Sequence, residues 1–172
     1  MALLAESHRK SLVEGPEREV ASLPQGQPDV GGSPPVELEA VRAQLSQFAP
    51  YDFEHFIKLL LERSGFVKVS VTRASGDGGV DVNAFVDETN EFFAGTHVQA
   101  QVKRWRHAVG SPDINNFRGA LSTTAKGVFV TTSHFTRAAL GEARHQSKPS
   151  IALVDGDRLA AIVIRNGIPL VL

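Results

Sequence analysis

The chain has 172 residues, 42% hydrophobic and 22% charged, with a net charge of -1, a balance that excludes a disordered or collagen-like chain. It contains no cysteine, so disulfides and thiolate metal sites are excluded and any metal ligand must be an oxygen or an imidazole nitrogen. Charges interrupt the first residues and every apolar run before either could act as a signal peptide or a membrane span, so we expect a cytoplasmic protein with no membrane partner.

Residues 1–36 are predicted to form a flexible tail or linker. They contain five of the nine prolines, four glycines and no aromatic residue, so they lack the large apolar groups whose burial would offset ordering entropy. Helical spacing of apolar residues then predicts a connecting helix over residues 37–49, which Pro50 ends. Residues 50–172 are predicted to form one domain, because this length can bury a sizeable core.

The first half of this domain reads as one helix followed by three strands. Asp52 is the expected N-cap of the helix, which ends at Gly65. Alternating valines over residues 67–71 predict a strand, and a glycine-rich turn joins it to a second strand over Val80–Val86. A third alternating segment, His97–Trp105, predicts a strand with one polar face.

The second half alternates helices and strands. A capping serine, a proline and an acid predict a helix from Ser111 to about Thr123. The apolar run 127–131 predicts a strand, and Thr136 is expected to cap a helix that ends near Gln146. A last strand over 151–154 precedes a short helix capped by Asp157. This order predicts an α/β domain with a mixed sheet covered by helices on both faces.

Charge is distributed unevenly along the chain. Residues 51–91 carry eight acidic and four basic side chains, whereas residues 92–141 carry one acidic and six basic ones. This pattern suits a site that holds a cation with carboxylates and guides a polyanion beside it. Two solvated surfaces of opposite sign would give the same counts.

Three polar side chains are expected to converge on the second and third strands. Asp81 lies off the valine face of its strand, and Gln101 and Lys103 project side by side from the polar face of the next one. A carboxylate, an amide oxygen and an ammonium around one point suit Mg²⁺ binding and phosphodiester hydrolysis. Taken singly, each also has an ordinary structural interpretation as a turn cap, a cross-strand polar pair or a surface lysine.

Several segments of the domain occur in an informative order. They read Asp-Phe-Glu (52–54), Gly-Asp-Gly-Gly-Val-Asp (76–81), Gln-Val-Lys-Arg-Trp (101–105), Gly-Val-Phe-Val-Thr-Thr-Ser (127–133) and Leu-Val-Asp-Gly (153–156). Together they resemble the Mrr-like catalytic domain, a branch of the PD-(D/E)xK nuclease superfamily, over about residues 50–165. The resemblance implies a restriction-endonuclease-like αβββαβ core, Mg²⁺-dependent DNA cleavage in which Mn²⁺ can substitute, and restriction of foreign or methylated DNA.

The resemblance also implies roles for individual residues. Asp81 would be the main metal ligand, Gln101 would stand where most of the superfamily has an acid, and Lys103 would position or activate the attacking water. Because an amide carries no charge, a further acid is expected at the metal, and Glu54 in the first core helix is the candidate. A first-turn acid that complements the helix dipole is the alternative interpretation of Glu54.

Basic, aromatic and hydroxyl side chains at the strand ends are candidate DNA contacts. They are Arg104, Trp105, Arg106 and His107 after the third strand, and Thr131 and Thr132 at the end of the fourth. Solvated groups and helix caps are the alternative for these residue types.

We therefore expect a Mg²⁺-dependent DNA endonuclease. A DNA-binding module that kept the nuclease fold without turnover is the first alternative, and a junction-resolving, repair or RNA-cleaving enzyme is the second. Residues 1–49 are too short and proline-rich to be the recognition domain usual in the family. A separate recognition domain or subunit and a homodimer are therefore open as partners beside DNA.

Overall fold

The structure, a computed structural model, describes residues 36–72 and 79–170. In these ranges the helices are α1 (Val36–Leu45), α2 (Pro50–Arg63), α3 (Ser111–Ala120), α4 (Arg137–Ala143) and α5 (Gly156–Arg165). The strands are β1 (Phe66–Val71), β2 (Val82–Val86), β3 (His97–Lys103), β4 (Lys126–Thr131) and β5 (Ile151–Val154). Residues 1–35 of the predicted tail and residues 75–78 of the predicted glycine-rich turn lie outside the described residues, whereas Val36, the last residue of the predicted tail, begins helix α1.

The five strands form one mixed sheet in the order β1-β2-β3-β4-β5. The first three strands pair antiparallel, and β3, β4 and β5 pair parallel through connections that contain α3 and α4. The predicted α/β fold, an αβββαβ core with a mixed sheet flanked by helices, is confirmed. Parallel pairing places the carboxyl ends of β3, β4 and β5 at one edge of the sheet.

Helices cover both faces of the sheet. One apolar cluster joins α1, α2 and α5 to valines and alanines of the sheet, and a second joins α3 and α4 to Phe129 and Ile151. The middle strand β3 is therefore buried on both sides, including the side chains of Gln99 and Gln101. Buried amides need hydrogen-bond partners, and Gln99 has them. It donates to the Asn83 side chain and accepts from the main-chain nitrogen of Ser122.

Two of the expected helix caps are wrong. Helix α2 begins at Pro50, and Asp52 therefore lies inside the first turn instead of capping it. Proline suits this first position because its φ is already helical and it has no main-chain N–H that would need an acceptor. Helix α5 is capped by Asp155, whose carboxylate accepts a 2.9 Å hydrogen bond from the Arg158 nitrogen, and Asp157 lies within its first turn. The expected cap of α4 is confirmed, since the Thr136 hydroxyl oxygen accepts from the Ala139 nitrogen.

Strand β2 begins at Val82, two residues later than predicted. The Val80 carbonyl accepts a 2.6 Å hydrogen bond from the Thr72 hydroxyl, and the Thr72 nitrogen donates to the Asp81 carbonyl at 2.9 Å. Because these bonds hold the carbonyls of Val80 and Asp81 against the end of β1, regular pairing of this segment with β3 starts only at Val82. Strand β3 likewise ends at Lys103 rather than at Trp105, and α3 and α4 end three residues earlier than predicted.

The predicted connecting segment contributes to the core. Helix α1 packs against α5, where Arg42 forms a 2.7 Å salt bridge with Asp157, and Leu45 and Phe48 are buried in the first apolar cluster. Assigning residues 37–49 to a separate connecting segment stays a prediction. Among the described residues, no helix has the length and apolar character needed to cross a bilayer.

Phe129→Ala should lower the free energy of unfolding by about 3–5 kcal/mol. The ring is 0% exposed and meets Phe117 and Phe135 edge to face, so its removal leaves a cavity in the second cluster. Urea unfolding followed by circular dichroism measures the change. The matched control is Phe92→Ala, whose ring is 87% exposed and should matter by less than about 0.5 kcal/mol. Equal losses in the two variants would contradict this packing.

Candidate active site

The Asp81 carboxylate continues the β2–β3 ladder at the point where strand pairing stops. The Asp81 nitrogen donates to the Ala100 carbonyl at 2.8 Å, and the next available β3 donor, the Val102 nitrogen, donates to Asp81 Oδ2 at 2.7 Å. The carboxylate thus replaces a main-chain carbonyl that has turned toward β1. This bond fixes Asp81 beside the strand segment that carries Gln101 and Lys103.

Gln101 and Lys103 project from the same face of β3, as expected for residues two apart in a strand. Gln101 is only 8% exposed and lies against Gly79, where φ is +120°. A Cβ at position 79 would lie 2.5 Å from Gln101 Nε2, so glycine is required both by the backbone and by the amide. The sequence marked Gly79 only as part of a turn and gave no sign of this contact.

Glu54 lies on helix α2, within electrostatic reach of Asp81 and Lys103. Burial raises the pKa of its carboxyl, the charge of Asp81 raises it further, and the charges of Lys103 and His55 act in the opposite direction. Burial also raises the pKa of Asp81, against the lowering effects of the Val102 hydrogen bond and the Lys103 charge. Glu54, Asp81 and Lys103 therefore lie within electrostatic reach of one another, as the sequence analysis expected.

The donor atoms of this cluster fit a divalent cation. In the two described ranges, no group of three or more aspartate, glutamate or histidine side chains is placed to hold a metal. Two carboxylates and an amide oxygen are nevertheless the hard oxygen ligands that Mg²⁺ and Mn²⁺ accept. Two partly buried acids with raised pKa values repel each other as anions, and a cation between them would relieve that repulsion.

An aromatic pair lies beside Lys103. The Trp105 and His107 rings stack with centroids 4.6 Å apart. The Lys103 Nζ lies 6.0 Å from the ring centroid of Trp105. Trp105 is half-buried against the second apolar cluster, while His107 and Arg106 are exposed. This arrangement leaves a basic, partly aromatic surface next to the ammonium.

Arg104 points away from this surface. Its Nη1 donates to the Ser46 carbonyl at 3.1 Å, in the connection between α1 and α2, and its Nε is buried with no hydrogen-bond partner among the described residues. The side chain thus ties the end of β3 to the turn before the helix that carries Glu54. The structure does not place it with Trp105, Arg106 and His107.

Thr131 and Thr132 are also inside the fold. Thr131 is 0% exposed, and its hydroxyl oxygen accepts from the Ser133 nitrogen at 3.1 Å. Thr132 is buried, and its hydroxyl donates to the Trp105 carbonyl at 3.0 Å. Both hydroxyls therefore hold the loops at the strand ends, and neither is presented at the surface where the sequence analysis expected a phosphate contact.

Two sequence comparisons each match more than two thirds of this chain. A family described as restriction endonuclease, that of the Mrr catalytic domain, matches residues 45–163. The type IV methyl-directed restriction enzyme EcoKMrr of Escherichia coli strain K12 is 35% identical over 134 residues, which cover 74% of this chain and 42% of that enzyme. The chain thus matches less than half the length of this curated relative.

Two solved structures share the fold. The MspJI restriction endonuclease in complex with a 27-mer oligonucleotide has a TM-score of 0.55 at 24% identity, covering 74% of this chain and 30% of the other. The DNA modification-dependent restriction endonuclease AspBHI has a TM-score of 0.65 at 19% identity, covering 79% and 37%. At these identities the likeness concerns the fold alone.

Asp81→Asn should raise the melting temperature at pH 7 in EDTA by a few degrees. Because burial raises the folded-state pKa of Asp81, ionising this carboxyl lowers the stability of the folded protein. That stability is fully present below the ordinary carboxyl pKa, where Asp81 is protonated, and is lost as the pH rises through the raised pKa. The neutral amide avoids that loss and can still accept from the Val102 nitrogen.

Thermal melts between pH 3 and pH 8 measure this effect, which should shrink toward acid pH. Asp87→Asn is the control, because hydrogen bonds from Thr89 lower the pKa of Asp87 and its neutralisation should bring no gain. A parent protein as stable as Asp81→Asn at pH 7 would contradict the assigned electrostatics.

Proposed function

The chain belongs to the restriction-endonuclease family of the Mrr catalytic domain, and from this premise we propose that it hydrolyses phosphodiester bonds of DNA with a divalent metal ion. The observation that carries the proposal is the hydrogen bond from the Val102 nitrogen to the Asp81 carboxylate, which places that carboxylate beside Gln101 and Lys103, with Glu54 in electrostatic reach. Restriction endonucleases act on DNA and generally use a divalent metal. Mg²⁺ is the proposed metal here, with Mn²⁺ as a substitute.

The proposed ligands are Asp81, Glu54 and Gln101. Asp81 offers a carboxylate whose orientation is set by the Val102 nitrogen, and the Gln101 amide is held in place against Gly79. Glu54 supplies the second negative charge, which compensates for the neutral amide at position 101. When bound, a divalent cation polarises the scissile phosphate and neutralises charge that develops on it.

Lys103 is proposed to serve the attacking water. Its ammonium has three donor hydrogens and no acceptor, so it can orient a water and stabilise negative charge on a phosphate oxygen. Lys103 lies within electrostatic reach of the Asp81 and Glu54 carboxyls, and its Nζ is 6.0 Å from the ring centroid of Trp105. Lys103 therefore holds a water or a phosphate oxygen beside the proposed metal ligands.

The substrate is proposed to be modified DNA, as in restriction of foreign methylated DNA in the cytoplasm. EcoKMrr is described as methyl-directed and AspBHI as modification-dependent, which supports the proposal by analogy. The matched region covers 42% of EcoKMrr, and we propose that a separate domain or subunit recognises the modification. Cleavage of both strands with one site per chain favours a homodimer on DNA.

A non-catalytic DNA-binding module is the second candidate. The amide at Gln101 favours it, because this replacement leaves the site with one fewer negative charge for a cation than a carboxylate would provide. Metal-dependent nicking separates the two candidates, since only the nuclease converts supercoiled DNA to open circles.

Asp81→Asn and Lys103→Ala should each lower plasmid cleavage by at least about 100-fold while the fold is retained. Supercoiled plasmid, unmodified or methylated, is incubated with Mg²⁺, Mn²⁺ or EDTA, and nicked product is followed on gels. Lys126→Ala is the matched control, because Lys126 is an exposed lysine at the start of β4, the opposite end of that strand from Thr131, which pairs with Lys103. EDTA should abolish cleavage by the parent.

Cleavage retained in either site variant would remove the site assignment. Metal-independent cleavage would contradict the proposed chemistry. Silence of the parent on every plasmid, together with salt-sensitive DNA binding, would favour the non-catalytic module.

A further inference from the structure

We propose that the loop between β4 and α4 and the first residue of α4, through His134 and Arg137, form part of the DNA-contact surface together with Arg106 and His107. Phosphates of the bound strand would then cross the ends of both β3 and β4. This inference rests on the proposed function, because it assigns the surface that holds the substrate of that site. Neither His134 nor Arg137 stood out in the sequence, where they are isolated basic residues.

Hydrogen bonds join this loop to the segment that follows Lys103. The Thr132 nitrogen donates to the Lys103 carbonyl at 3.3 Å, and the Thr132 hydroxyl donates to the Trp105 carbonyl at 3.0 Å. Further along, the Val109 nitrogen donates to the His134 carbonyl and the Thr136 nitrogen donates to the Val109 carbonyl, both at 2.9 Å. The two loops therefore form one connected surface that begins beside Lys103.

The exposed side chains of this surface are basic. Arg106, His107, His134 and Arg137 are all exposed, and neither arginine forms a salt bridge within the described part of the chain. Segments 104–112 and 132–141 contain no acidic residue. The acid that follows the first segment, Asp113, is occupied by a 2.8 Å hydrogen bond from the Gly110 nitrogen. Exposed basic side chains on both loops suit contact with a phosphate backbone.

Other basic residues of this half of the domain are engaged elsewhere. Arg118 and Lys148 both pair with Glu142, toward the far end of α4, and Arg104 bonds to Ser46. Arg144 is exposed but follows the last residue of α4, about 10 Å along the helix from Arg137. Arg137 and Arg144 thus differ mainly in which end of α4 they occupy.

The test compares Arg137→Gln with Arg144→Gln in the full chain. Binding of a fluorescent duplex oligonucleotide is measured in EDTA, where the proposed cleavage cannot proceed, between 50 and 200 mM KCl. Arg137→Gln should weaken binding several-fold and reduce the slope of log affinity against log salt by about one. Arg144→Gln should leave both unchanged, and thermal melts should show that both variants are folded.

Equal effects of the two substitutions, or no effect of Arg137→Gln, would overturn the proposed surface. No binding by the parent at 50 mM KCl would overturn it as well. Failure of the proposed function gives a different result, in which the parent binds DNA with the predicted dependence on Arg137 but does not cleave it with metal. The two ideas can therefore fail separately.

Discussion

One hydrogen bond, from the Val102 nitrogen to the Asp81 carboxylate, sets the geometry on which the candidate site depends. The β2 chain turns toward Thr72 just before Val82, which leaves a β3 amide without a main-chain acceptor. Asp81 supplies that acceptor with its side chain. An amide buried at this edge without a partner would be costly, so the same bond that completes the sheet also holds the carboxylate between β2 and β3. Gln101 and Lys103 flank Val102 and are placed by the same strand.

This arrangement exchanges stability for a preformed site. Burial raises the pKa of both Asp81 and Glu54, and the charge of Asp81 adds to the effect on Glu54, so ionising both carboxyls costs more in the folded protein than in water. The charge of Lys103 offsets part of this cost, and a bound cation would offset more. The surrounding fold tolerates the cost because two apolar clusters pack the sheet on both faces.

Much of the fold and the centre of the site followed from local patterns. Period-two alternation in β3 predicted that Gln101 and Lys103 share a face, and the threonine cap of α4 was predicted by its position before the helix. Contacts between distant segments were not predictable in this way. Alternation places Arg104 opposite Lys103, but only tertiary packing brings Ser46 to its guanidinium. Likewise, the sequence around Thr131 and Thr132 is compatible with exposed hydroxyls, and only the tertiary structure shows that both residues are buried and that Thr132 bonds to the Trp105 carbonyl.

We propose that Asp81, Glu54 and Gln101 together bind one divalent cation in a restriction-endonuclease fold. Anomalous diffraction from crystals grown with millimolar Mn²⁺ tests this ligand set most directly, because Mn²⁺ accepts the same oxygen ligands as Mg²⁺ and can be located by its own scattering. We expect a peak within coordination distance of Asp81 and Glu54, with the Gln101 amide oxygen turned toward it. A peak held by other residues, or a site that stays empty at that concentration, would contradict this ligand set.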